Sequence, residues 1–142
     1  MEQEEVVMDI KGFRCVVADD SAFARKCIAS VLERIGGSVV AEATNGLEAI
    51  ELYSRHQPDL VLLDIIMPQL DGVEALRQII DLDKTAKVII VSSLGDKEMV
   101  WKALCLGAKS FVTKPYNPLF AGMVISDVVS GRTGGAICDM NI

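Results

Sequence analysis

The chain has 142 residues, with 14 Lys+Arg against 20 Asp+Glu for a formal charge of −6, and is 51% hydrophobic and 24% charged. That composition excludes a disordered chain, and a domain of this size buries roughly 70% of its unfolded surface. No cluster of Lys and Arg is present to displace counterions from a phosphate backbone, no apolar stretch approaches the ~20 residues that span a bilayer, and the start MEQEEVVMDI is acidic. Direct nucleic-acid and membrane partners are therefore not expected, and a cytoplasmic location is.

Residues 1–10 read as an acidic extension, and 11–130 as the folded domain. The apolar run 13–18 has the length of a buried strand, and Ala24, Ile28, Val31 and Ile35 follow at helical spacing until Gly36 stops the helix. A second strand spans 39–43, and Asn45 with Glu48 forms a capping-box pattern for the next helix. His56, alone before Gln57 and Pro58, reads as a solvated helix-end residue. The third run is 60–63; Pro68 shapes a turn, Asp71 caps a helix and Gly72 is a packing site, followed by Val73, Leu76, Ile79 and Ile80. A fourth run, 88–91, precedes a helix with one apolar row of Met99, Ala103 and Leu106 and a second of Val100 and Leu104 beside Trp101, ended by Gly107. The fifth run is 110–112, and Asn117-Pro118 opens a last helix with a core row of Ala121, Ile125, Val128 and Val129. Residues 131–142 are a Gly-rich tail, expected to be loosely held. Cys15, Cys27, Cys105 and Cys138 form no C-x-x-C pair and read as core or incidental thiols.

Five predominantly apolar strands alternating with helices predict an α/β fold: a parallel sheet covered on both faces and joined by right-handed crossovers. Ligands of such a sheet gather at the carboxyl ends of its strands. The first run ends in Asp19-Asp20, the third in Asp64, the fourth in Ser92-Ser93 and the fifth in Lys114-Pro115. Three converging carboxylates require a cation, and an all-oxygen set suits Mg²⁺. A hydroxyl and an ammonium complete a phosphate-sized pocket.

VVADDS (16–21), LLDIIMPQLDG (62–72), VSS (91–93) and TKP (113–115), in that order and spacing, resemble the receiver domains of two-component response regulators, most closely the single-domain chemotaxis (CheY-like) type. The resemblance covers about residues 13–129. It implies a doubly wound, flavodoxin-like sheet of strand order 2-1-3-4-5 with five helices. It also implies that Asp64 accepts a phosphoryl group from a sensor histidine kinase or a small donor such as acetyl phosphate. Mg²⁺ would be held by Asp19, Asp20, Asp64 and the backbone carbonyl of Ile66. Lys114, joined to a cis Pro115, would pair with a phosphoryl oxygen, backbone groups of Ile66 and Ser93 would bind the phosphoryl group, and Ser92 would move toward it while Phe111 switches rotamer. Two residues stand out: Ile66 offers no side chain to position an attacking water, and Phe111 lacks a tyrosine hydroxyl.

A haloacid-dehalogenase-like phosphotransferase is the rival from another class, but D-x-D is missing because Ile66 stands two residues after Asp64. A flavodoxin-like electron carrier lacks its phosphate loop after the first strand, and a non-phosphorylated pseudo-receiver is at odds with the complete acidic triad and lysine. Only 27 residues follow Pro115, too few for an appended output domain, so the chain is expected to signal from its own surface. Surplus apolar residues in the last two helices place an output surface at Val100, Leu104, Phe111, Phe120 and Val124, for a downstream protein or a second copy in a homodimer. Chemotaxis or motility is the expected setting.

Overall fold

The computed structural model describes residues 12–93 and 95–132; the acidic N-terminal extension, residues 133–142 of the tail and Cys138 lie outside them. Five strands, β1 (Phe13–Ala18), β2 (Gly37–Ala43), β3 (Leu60–Asp64), β4 (Val88–Ser93) and β5 (Ser110–Lys114), alternate with α1 (Ala22–Arg34), α2 (Gly46–His56), α3 (Gly72–Leu82), α4 (Lys97–Leu106) and α5 (Pro118–Ser130). All four pairings are parallel and the order is β2-β1-β3-β4-β5, as expected. The chain winds outward in both directions from β1 and β3, which sets the ends of those strands side by side beneath the loops.

Because side chains alternate along a strand, the sheet separates two cores. Val16, Ala18, Val61, Leu63, Val88 and Ile90 face α2, α3 and α4. Cys15, Val17, Leu60, Leu62, Ile89 and Val91 face α1 and α5. Burial of this kind on both faces explains why the strands read as continuous apolar runs.

Several boundaries extend past those runs. The β4–β5 ladder continues through Ser92 opposite Thr113 and Ser93 opposite Lys114. Polar side chains therefore sit on regular strand ends, where apolar content alone places the strand's stop too early. At α2, Asn45 Oδ1 accepts from the Glu48 N–H at 2.9 Å. The returning carboxylate of Glu48, however, bonds Thr44, at its N–H (2.7 Å) and its hydroxyl (2.9 Å), so the box closes one residue earlier than the pattern predicts. Asp71 caps α3 through the Glu74 N–H at 2.9 Å, and Asn117 caps α5.

The expected output surface needs correction at α4. Val100 and Leu104 are buried with Ala103 against the core, whereas Trp101 and Cys105 lie on the exposed side. The buried side takes both members of the row read from sequence as surplus, Val100 and Leu104, and Ala103 from the other row, whose Met99 and Leu106 pack at its margin. On α5, Ala121, Gly122, Ile125, Ser126 and Val128 are buried, Val124 and Val129 are half-buried, and Leu119, Phe120 and Met123 are exposed. Among the described residues no helix is long and apolar enough to cross a membrane.

Candidate functional site

The sheet delivers the predicted polar residues to one edge. Oxygen atoms of Asp19, Asp20 and Asp64 lie within 4.8 Å of one another. Asp19 and Asp64 are buried and Asp20 is exposed, so the cluster has a closed floor and one side open to solvent. Lys114 Nζ donates to Asp19 Oδ2 at 2.9 Å and stands 3.6 Å from Asp64 Oδ2. The Lys114–Pro115 peptide is cis, as the resemblance implies.

Burial pushes Asp64 up to about 6, with the Asp19 charge adding to it; Lys114 and the N–H groups of Ile65 and Ile66 act in the opposite sense. Burial lowers Lys114, but its bond to Asp19 and the charge of Asp64 outweigh that and hold it above its usual range. Three carboxylates and one ammonium thus leave uncompensated negative charge in a partly dry site. The donors are hard oxygens, and the residues fit a divalent cation such as Mg²⁺.

Ser92 lies beside this cluster at the end of β4. It is 1% exposed, and its hydroxyl has no hydrogen bond to the protein among the described residues. Buried hydroxyls ordinarily find a partner, which sets this one apart from the rest of the interior. The Ser93 N–H donates to Asp96 Oδ2 at 3.2 Å, a bond that a phosphoryl oxygen at that N–H would displace. The Ile66 side chain is 56% exposed. Phe111 is half-buried against the core that faces α4.

The loop from β3 to α3 is fixed by close backbone contacts. The Gly72 N–H donates to the Ile65 carbonyl at 2.7 Å, and the Gly46 N–H to the Leu70 carbonyl at 3.0 Å. Between them the Leu70 N–H reaches the Pro68 carbonyl at 2.7 Å around Gln69, whose φ is 68°. That is the rare positive-φ form of a three-residue turn, which no composition signal marks. A further feature unread in the sequence is Arg25, whose guanidinium bonds the Asp19 carbonyl and Glu42; its only trace is a basic residue one turn beyond Ser21. Beside the site, α1 and α5 diverge around a cleft of about 600 Å³, floored by Val17, Leu62 and Val91 and bordered by Phe23, Tyr116 and Pro118.

A buried carboxylate in an acid cluster, with a lysine and a buried hydroxyl on nearby strand ends, repeats the motif set read from the sequence. Residues 15–119 match the response regulator receiver domain family, and the chain belongs to it. Within two-component signalling the chemotaxis branch is near. The chain is 46% identical over 104 residues to the chemotaxis protein CheY of Bacillus subtilis, covering 73% of this chain and 87% of that protein. It is 41% identical over 107 residues to CheY of Thermotoga maritima, covering 75% and 89%. It is also similar to a chain in the crystal structure of the CheX-CheY-BeF3-Mg+2 complex of Borrelia burgdorferi, with a TM-score of 0.75 and 36% identity over 84% of this chain and 88% of that one.

Proposed function

We propose that residues 11–130 form a phosphoaspartate switch of a chemotaxis or motility pathway, with Asp64 as acceptor. The observation that carries this reading is the setting of Asp64: 7% exposed, near the Lys114 ammonium, with the unpaired Ser92 hydroxyl on the adjacent strand. An Asp64 carboxylate oxygen attacks phosphorus; the new O–P bond forms as the donor's P–N bond (phosphohistidine) or P–O bond (acetyl phosphate) breaks. The bond's electron pair departs with the leaving imidazole or acetate. Lys114 moves from its carboxylate partners toward a phosphoryl oxygen, and the Ser92 hydroxyl donates to another. Asp19, Asp20, Asp64 and the Ile66 carbonyl would hold Mg²⁺, which supplies positive charge opposite the developing phosphoryl oxygens.

The cleft between α1 and α5 opens beside Asp19 and Lys114 and suits an apolar helix of a kinase's phosphodonor domain. Signal output is assigned to the side where α4 and α5 flank edge strand β5, with Phe111 as the switching aromatic and Phe120, Leu119, Met123 and Trp101 as the exposed apolar residues. This retains Phe111 and Phe120 from the sequence-based surface and replaces buried Val100 and Leu104.

A haloacid-dehalogenase-like activity has no support at Ile66, whose exposed side chain carries no acid where that chemistry needs one. The test is incubation with acetyl phosphate and Mg²⁺, followed by intact mass. A phosphoryl adduct removed by hydroxylamine and absent from Asp64→Asn is expected. No adduct on the parent protein would favour the non-phosphorylated binding module.

A further inference from the structure

We infer that Arg25 is a positioning residue for the Asp20 carboxylate, acting through the peptide unit that joins Asp19 to Asp20 and anchored by Glu42. The inference rests on the reading that Asp19, Asp20 and Asp64 take Mg²⁺.

Asp19 is held from several directions. Its N–H donates to the Ala43 carbonyl at 3.0 Å, and its Oδ1 accepts from the Ser21 N–H at 2.9 Å. Asp20, by contrast, is exposed, and its carboxylate makes no hydrogen bond or ion pair to the protein among the described residues. Its oxygen nevertheless belongs to the acid cluster. What aims it is therefore the backbone.

The peptide unit between residues 19 and 20 is planar, so turning it swings the Asp19 carbonyl oxygen and re-aims the Asp20 Cα–Cβ bond together. Arg25 holds that oxygen. Its Nη1 donates to the Asp19 carbonyl at 2.7 Å, while its Nε donates to Glu42 Oε1 at 2.6 Å. The Arg25 side chain is only 15% exposed. One rigid fork thus ties the end of β1 to edge strand β2, from which Ala43 also takes the Asp19 N–H. A guanidinium present merely to neutralise the acid cluster would point at carboxylates of that cluster. This one directs its hydrogen bonds at a carbonyl and at a carboxylate outside the cluster.

The two roles predict opposite signs. Removing a nearby positive charge deepens the negative potential of the cluster and tightens Mg²⁺ binding. Removing a clamp leaves Asp20 free to turn and weakens it.

Mg²⁺ alone is titrated into ¹⁵N-labelled parent, Arg25→Ala, Arg25→Lys, Glu42→Ala and Arg25→Ala/Glu42→Ala proteins, following the amides of residues 19–21. Arg25→Ala is expected to weaken Mg²⁺ binding roughly tenfold, in the range for residues that orient metal ligands. Arg25→Lys, which keeps the charge but not the two-pronged geometry, should lie between it and the parent. Glu42→Ala should weaken binding in the parent background and add nothing once Arg25 is alanine. Unchanged or tighter binding in Arg25→Ala overturns the inference. If that variant does not fold by circular dichroism, Arg25→Lys decides: weaker binding supports the clamp, parent-level binding overturns it. An equal effect of Glu42→Ala in both backgrounds overturns the anchoring role. A parent protein that binds no Mg²⁺ overturns the site reading itself, a result distinct from each of these.

Discussion

A Cβ added at Gly72 would fall 2.1 Å from the Asp64 carbonyl oxygen and 2.8 Å from the Ile65 Cα. Both are backbone atoms of the segment that carries Asp64, so neither yields without moving that carboxylate. Gly72→Ala should destabilise the protein by about 3 kcal/mol, the upper range for overpacking a close contact. Urea unfolding checks the stability, and a matched loss of Mg²⁺ affinity checks that the acceptor has shifted. A parent-like midpoint would mean that α3 can retreat at little cost.

Stability should depend on the ionisation of Asp64. Its carboxyl titrates near 3.8 when unperturbed and is raised to about 6 in the fold, so the folded state binds more protons between those values. Stability therefore falls as pH rises through that window, and the loss is complete above the folded value. In EDTA, Asp64→Asn should be more stable than the parent by on the order of 2 kcal/mol at about pH 8, and the gap should close as pH falls toward about 4. Calorimetric melting at several pH values measures this; a gap independent of pH would place its origin elsewhere.

The exposed Ile66 side chain bears on the lifetime of the phosphorylated state. It can neither accept from nor donate to a water approaching the phosphoryl group. Ile66→Asn should speed loss of the adduct by about tenfold while leaving its formation near the parent rate, because only the hydrolytic step needs an oriented water. Following adduct decay by intact mass after removing the donor gives the rate directly.

Phe120 and Met123 are 58% and 51% exposed, so aspartate at both positions should change stability by no more than about 0.5 kcal/mol. Phosphorylation should persist, and self-association of the beryllofluoride-loaded protein, read by sedimentation velocity, should disappear if this side carries the output contact. Val124 is unsuitable for the same experiment. It packs against the α1–α5 core, and a charge there would report on folding.

The acid cluster was legible because it depends on which residue ends each apolar run: Asp19, Asp64, Ser92 and Lys114 all stand where their motifs place them, whereas the strand order came only from the family resemblance those motifs carry. The helix faces were less legible. α4 is apolar around much of its circumference, so periodicity could not decide between the Met99 row and the Val100 row, and the buried side in fact draws Val100 and Leu104 from one and Ala103 from the other. Contacts between residues distant in sequence left no local trace. Tyr53 donates to Asp83 at 2.6 Å across 30 residues with no spacing signature, and the nearer bond from Arg25 to the Asp19 carbonyl left only a basic residue one turn beyond Ser21. Positive φ at Gln69 was equally silent, because glutamine is not a residue type that marks that conformation.

The division of the interior by the sheet has a mechanical consequence. Phe111 packs with the layer of α2, α3 and α4, while Val112, the next residue, packs with α1 and α5. Adjacent positions on one edge strand therefore serve two separate layers. If Phe111 repacks with α4, the layer beneath it can loosen while Val112, Val91 and Leu62 keep the opposite layer as a fixed chassis. Amide exchange would then quicken on one side of the sheet only, and the helices bordering the donor cleft would keep their shape while the output side changes.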